Sequence, residues 1–494
     1  MNQPGTISRI FTVSSPLAQF ITKEKNSRIY GYIALVAITV QFVIFKIMYP
    51  FPDFLPESYN YIDTASQHLA ANVWPVGYGK FLWLVHLISH SDTFLIGIQY
   101  FLLEAAMAYL FYTILYLYRP ARASRNTIFV FLFINPFLLY LSNCILPDAL
   151  FGALSIVFFV QFCWMFHRPV LTQVLIQGGI IGMAFTLSFA AIYYPLVSVA
   201  GLLLLKRKTL TSSLGWIIGI VLMITFALYT IQKTKQTTGS AQYSILGGWQ
   251  LANNALYMYD HIKVDSASLP KETRALDREA KQFFQDIPPI QRELASFGGA
   301  FFLIVPYSPL KQFMNRQYKE EDAPAQFDAW AKVAPLYATY GKALMHQHPV
   351  PFLKYFLGPN IKNYFLPPLE KFDIYNLNMS DVPTNVQDWF DYVTPDIAVI
   401  SATFQAKLFY PYRFIFLTLN LYFWGCLAWF LFTGKIKKMR PDFRRTLLLA
   451  SCFLLFHFGF SVVATPVVLR FQVVPIILLL SFSLFLGHPK NEYA

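Results

Sequence analysis

The sequence predicts an all-α polytopic membrane protein with about ten transmembrane helices. Three observations predict it. Only 13% of the 494 residues are charged, 56% are hydrophobic and 18% are aromatic, whereas a soluble domain carries about a quarter charged residues. The apolar residues come in runs approaching the roughly 20 needed to cross a bilayer. The Lys and Arg residues gather between alternate runs, which orients a membrane chain.

The candidate spans are 30–48, 93–118, 127–141, 149–166, 171–189, 193–205, 214–231, 414–432, 447–463 and 467–486. Two of them, 127–141 and 193–205, are short, which is compatible with tilting or extension into the headgroups. The first run is too long for a secretory signal peptide, and Pro and acidic residues follow it instead of a small-residue cleavage site.

Arg9, Lys23, Lys25 and Arg28 precede the first span. Arg119, Arg122 and Arg125 follow the second, Arg168 the fourth, and Lys206, Arg207 and Lys208 the sixth. Lys435, Lys437, Lys438, Arg440, Arg444 and Arg445 follow the eighth, and Lys490 lies near the end of the chain. Alternation puts all of these on one side, so both termini are expected in the cytoplasm. The net charge of +13 therefore reads as a topology signal and implies no nucleic-acid partner.

The chain divides into an N-terminal transmembrane part (1–231) with a first external loop at 49–81, a mainly helical external domain (232–409) and C-terminal transmembrane helices (410–494). Stretches such as "KETRALDREAKQFFQDIPPIQREL" predict amphipathic helices in an ordered domain. The four cysteines, Cys144, Cys163, Cys426 and Cys452, lie in or beside apolar runs without CxxC spacing, so neither a disulfide framework nor a zinc site is expected.

Three charged residues stand out at the outer ends of spans. In "PESYNYIDTASQHLAANVWPVGYGKFLWLV" a helix is predicted to start after Pro56, then a turn at "WPVGYG" and a second helix near the membrane surface. Glu57 falls in the first helical turn, where the helix dipole favours a carboxylate. That position suits an ordinary helix-start acid as well as a reactive one. Asp148, after Pro147, is a second such acid at similar depth; two acids there can act as base and orienter or share a cation. Arg470 is a lone cation about one turn into the last span, against the positive-inside pattern. It either snorkels to the surface or binds an anion such as a lipid phosphate.

Other features are weaker. His346 and His348 sit at i, i+2, a spacing that does not put both on one helix face. "GSAQYSILGGWQLANNALYMYD" offers Trp249 and Asn253 to a sugar, or is a capped helix. No phosphate-binding loop, dinucleotide fingerprint or GxSxG occurs.

Taken in order, "PESYNYIDTA" with "WPVGYGKFLWL", then "LYLSNCILPDALF", "YYPL" and "TPVVLRFQVVP" resemble the GT-C class of membrane glycosyltransferases. The resemblance is to the protein mannosyltransferase and aminoarabinose-transferase type (glycosyltransferase 39-like) of bacterial inner membranes. It covers the topology of residues 30–231 and, more weakly, the last spans. It implies an enzyme that moves a sugar from a polyprenyl-phosphate donor to a protein, lipid or glycan acceptor on the non-cytoplasmic, periplasmic face. Glu57 is then the general base. Asp148 is a supporting acid, or a metal ligand where a divalent metal is used, and Arg470 holds the lipid phosphate. Asp53, Tyr59, Asp63, Tyr193, Tyr194, Trp249 and Asn253 are further candidates for substrate contact. The chain departs from the family pattern at Ser58, where a second acid is common, and at Ser188–Ala191 before "YYP", where Arg or Asn is common. The alternatives are a transporter or flippase for a lipid-linked sugar, for which Gly-rich "IQGGIIGMAF" is the one hint of a broken helix, or a non-catalytic scaffold of the envelope.

Overall fold

The structure is a computed structural model that describes residues 16–206, 210–288, 300–318 and 323–487. The basic residues Arg9, Arg207, Lys208 and Lys490 lie outside the described residues. The described chain is helical throughout, and its only β pairings are isolated bridges at Asp53–Cys144 and Asp381–Asp396.

Eight helices among the described residues are long and apolar enough to cross a membrane: Lys25–Met48, Asp92–Tyr118, Arg122–Asn143, Asp148–His167, Ser213–Thr238, Phe404–Phe432, Pro441–Ala464 and Leu469–Leu486. That is the pattern of a multi-pass membrane protein. Two shorter apolar helices, Leu171–Leu187 and Phe189–Leu204, occupy the remaining two expected positions. Proline explains several breaks. The Arg122–Asn143 span divides at Asn135–Pro136, where the Asn135 side chain accepts from the Phe137 N–H at 2.9 Å and Pro136 opens the second piece. Pro195 likewise opens the Tyr194–Leu204 helix after a 3₁₀ turn, Phe189–Tyr193.

Burial orders the helices. Asp148–His167 is 72% buried and runs through the centre, whereas Lys25–Met48 is 17% buried. The outer helix turns Ile33, Val36, Val40, Val43 and Ile47 outward and buries Ser27, Ala34, Ile38 and Phe45 on its inner side. An apolar outward face of this kind is stable only against lipid or another apolar surface.

The Gly-rich run at 176–185 is a continuous helix, Leu171–Leu187, with no break. Two of its three glycines, Gly178 and Gly182, serve close packing. A Cβ on Gly215 of the Leu210–Thr238 helix would stand 2.2 Å from the Val174 carbonyl oxygen, and one on Gly178 would stand 2.7 Å from the Gly215 oxygen. Small residues at this spacing let two membrane helices approach at backbone distance.

The first polar loop forms the two expected helices, Pro56–Ser66 and Gly77–His86. The second starts inside the expected turn because Gly77 leaves room for a neighbour: a Cβ there would meet the Thr186 carbonyl oxygen at 2.4 Å.

The long polar segment divides between two cores. Residues 245–344 bury Trp249, Leu276, Leu310, Met314, Tyr337 and Tyr340 with Ala71 and Val73 of the first loop. Beyond 364, Tyr364, Phe372, Tyr375, Trp389 and Phe390 join the core of the membrane bundle. The second part is thus clamped onto the end of the bundle, where the charged residues lie.

Orientation is open to a direct test. Reporter fusions after Arg122 and Lys438 are expected to read cytoplasmic, and fusions near Asn72 and Ala323 external, from the basic-residue asymmetry. A cytoplasmic readout at Ala323 would overturn that orientation.

Candidate functional site

Four separate stretches meet at one end of the bundle. Glu57 is the second residue of the Pro56–Ser66 helix, whose start is secured by Ser58 Oγ accepting from the Leu55 N–H at 3.0 Å. Asp148 opens the Asp148–His167 helix. The turn before it is pinned by Gln99, which donates to the Ser142 carbonyl at 2.8 Å and accepts from the Tyr78 hydroxyl at 2.6 Å. Arg470 lies in a 3₁₀ turn, Leu469–Gln472, at the head of the last span. The fourth stretch, around Glu370 and Lys371, is tied to that turn by the Leu469 N–H donating to the Pro368 carbonyl at 2.9 Å. The first loop is tied to the same stretch reciprocally: the Asn376 N–H donates to Asp53 Oδ1 at 2.8 Å, and the Phe54 N–H donates to Asn376 Oδ1 at 2.6 Å.

The result is a cluster of five charges. Each guanidinium nitrogen of Arg470 faces a different carboxylate: Nη2 to Glu57 Oε1 at 3.4 Å, Nη1 to Asp148 Oδ2 at 3.7 Å, and Nε to Glu370 Oε2 at 3.7 Å. Lys371 Nζ donates to the same Glu57 oxygen and stands 4.0 Å from Glu370 Oε1. Side-chain exposures run from 7% at Lys371 to 20% at Glu370, so water screens the group little. Three carboxylates face two cations, leaving one formal negative charge in excess when all are ionised. The contacts to Arg470 are longer than the ~2.7–2.9 Å of a tight charge-assisted bond, and none is bidentate.

The environment sorts the acids outside the spans. Burial pushes Glu57 up, but the neighbouring charges of Lys371 and Arg470 outweigh it and hold the carboxyl down at about 2. Asp53 is the reverse case. Burial dominates and raises it to about 7, with the Asn376 N–H and the charge of Lys371 pulling back. A buried acid raised in this way favours folding most below its ordinary value of 3.8 and loses that contribution as pH rises through about 7. Asp53→Asn keeps an acceptor for Asn376. It is expected to flatten the loss of stability between pH 4 and pH 8, by at most roughly 3–4 kcal/mol in a denaturation series. Parallel profiles for parent and variant would show that Asp53 does not titrate in that window.

The structure thus brings together Glu57, Asp148 and Arg470. The sequence reading passed over Glu370 and Lys371, which sit in "PPLEKFD" inside a stretch of balanced charge. Among the other sequence candidates, Tyr59 is half-buried against Phe54, with its hydroxyl 4.0 Å from Met379 Sδ. Asp63 accepts from Asn385 Nδ2 at 2.7 Å and joins no cation. Tyr193 and Tyr194 are buried: Tyr193 packs on Phe453 and Phe460, and Tyr194 bonds Ser155 and stacks on Phe158. Trp249 and Asn253 are not on a surface. Trp249 stacks on Trp330 at 4.0 Å and donates to its carbonyl, and Asn253 donates to Asn254 Oδ1 at 3.2 Å, so both are buried core residues of the 245–344 stretch. His346 lines a separate surface cavity of about 1190 Å³ with Lys271 and Lys342, which shares no residue with the charge cluster. Among the described residues no three His, Cys, Asp or Glu side chains are grouped to hold a metal ion.

Fold and site together define a helical, multi-pass membrane protein with a buried mixed-charge cluster where its first polar loop meets its last span. Comparison of the chain with protein-family models, curated proteins and solved structures finds no match.

Proposed function

We propose that this chain is a GT-C-type glycosyltransferase of the bacterial inner membrane, transferring a sugar from a polyprenyl-phosphate donor to a hydroxyl of a protein, lipid or glycan on the non-cytoplasmic face. The observation that supports it is the position of Arg470, a largely buried guanidinium at the head of the last span, 3.4 Å from Glu57. A lipid phosphate whose tail stays in hydrocarbon presents its charge at that depth, and the reacting sugar would lie beside it.

In this reading the acceptor oxygen attacks the anomeric carbon. The bond from that carbon to the phosphate oxygen breaks, and the electron pair leaves with the lipid phosphate. Arg470 and Lys371 stabilise the departing charge, and Glu57 takes the acceptor proton. Asp148 orients Arg470. In the resting protein the two cations make Glu57 a weak base. As a donor phosphate draws them off, burial becomes the dominant influence on Glu57 and raises it toward the range a base requires.

A scaffold reading has one observation in its favour: the cluster also staples four distant stretches of chain together. The test is to incubate reconstituted protein with labelled polyprenyl-phosphate sugars and follow release of polyprenyl phosphate. Release that requires Arg470 supports the enzyme. No release with any donor overturns it in favour of the scaffold or transporter.

A further inference from the structure

The charge balance of the cluster raises a difficulty for any anionic ligand. Adding a phosphodiester to a group that already has one surplus negative charge is electrostatically unfavourable in a site so poorly screened. One carboxylate must therefore leave as the phosphate enters. Two features, its exposure and its backbone, single out Glu370. It is the most exposed of the three acids, at 20% against 17% for Asp148 and 11% for Glu57. Like Asp148 it lies 3.7 Å from an Arg470 nitrogen, and like Glu57 it has one carboxylate oxygen without a hydrogen bond. Its backbone is left-handed, φ +55°, as are Asn376, Leu377 and Asn378 at +50°, +50° and +62°. Glu and Leu disfavour that conformation whereas Asn adopts it readily, so the strain falls on Glu370 and Leu377. Glu57, by contrast, is locked in a helix, and Asp148 begins a central span.

We infer that Glu370 is an internal counter-ion that occupies the phosphate position on Arg470 and whose side chain swings off it when an anionic lipid phosphate binds. The exchange is one negative charge for another, so the cluster keeps its balance and Arg470 is never left unpaired. The inference rests on the proposed function for the identity of the ligand, though not for the exchange itself.

The test measures binding of polyprenyl phosphate, without sugar, to protein in nanodiscs at about pH 5, where the phosphate monoester carries close to one negative charge, as the donor phosphodiester does. Glu370→Gln removes the competing charge and keeps the shape. It is expected to bind the lipid phosphate at least about tenfold more tightly than the parent. In the parent, adding polyprenyl phosphate is expected to speed amide hydrogen exchange at Phe372 and Asp373, whose N–H groups bond to the Leu369 and Glu370 carbonyls in the turn that carries Glu370. Equal affinity of variant and parent, or unchanged exchange in a parent that binds the lipid, would overturn the inference while leaving the transfer reading intact. Tighter binding by Glu370→Gln in a protein that transfers no sugar would uphold the exchange and overturn the enzyme. Absence of binding by both proteins would overturn both ideas.

Discussion

Arg470→Ala is expected to weaken binding of a polyprenyl-phosphate sugar by on the order of 100-fold or more, the usual result of removing one member of a desolvated charge pair. The side chain also balances Glu57, Asp148 and Glu370. Its loss leaves three buried acids against Lys371 alone, and breaking buried pairs costs about 3–5 kcal/mol of stability. Affinity and melting temperature therefore have to be read together. Arg470→Lys separates them. It keeps the charge, is expected to melt near the parent, and restores binding only in part, because an ammonium lacks the planar fork that spans two oxygens. An Arg470→Ala protein that is folded and binds the donor as tightly as the parent would remove the phosphate role.

Glu57→Gln is expected to lower transfer by about 10²–10⁴-fold, the range for loss of a general base, without weakening donor binding. The amide keeps an acceptor for Lys371 while losing the ability to take a proton. Asp53→Asn and Asp63→Asn are the controls: Asp53 is bound to the Asn376 N–H and Asp63 to Asn385, and neither belongs to the five-charge cluster. Both are expected to retain transfer. Glu57 has a second readout that does not depend on catalysis. Its carboxyl is held at about 2, below the ordinary 4.5. The stability it contributes is present above that ordinary value and is lost as pH falls toward about 2. The advantage of parent over Glu57→Gln in melting temperature is therefore expected to shrink across the same interval. Equal transfer rates in parent and variant would remove Glu57 as base. A constant melting difference down to pH 2 would remove its ion pairs as a source of stability.

The residues that could be read in advance share a local signature. Glu57, Asp148 and Arg470 are each a lone charge where an apolar run or a surface helix begins, and a charge beside hydrocarbon is conspicuous. Glu370 and Lys371 carry no such mark, because charge is ordinary in the stretch around them. Their role came into view only when the chain brought Lys371 to Glu57 across 314 residues. Trp249 was an open case. Trp, Gln and Asn in one short helix suit a sugar-binding surface or a core equally well. The choice was made by Trp330, 81 residues away, whose ring covers the indole and whose carbonyl takes its N–H. The glycines of 176–185 were equally ambiguous: Gly178 packs on Gly215 and Gly182 on Leu222, and the helix runs through them without a break.

By itself, then, the sequence determined the helical membrane-crossing character of the chain, the position of the apolar segments and the two helices of the first loop. Each follows from short-range rules: hydrocarbon thickness sets the length of an apolar run, and proline opens helices. Only the tertiary structure decided which charges neutralise which. Arg470 and Glu57 lie 413 residues apart, and their pairing depends on how the Glu370–Lys371 stretch is clamped over the end of the bundle. Coulomb energy depends on distance in space and on the exclusion of water, and neither quantity is encoded in the spacing of residues along the chain.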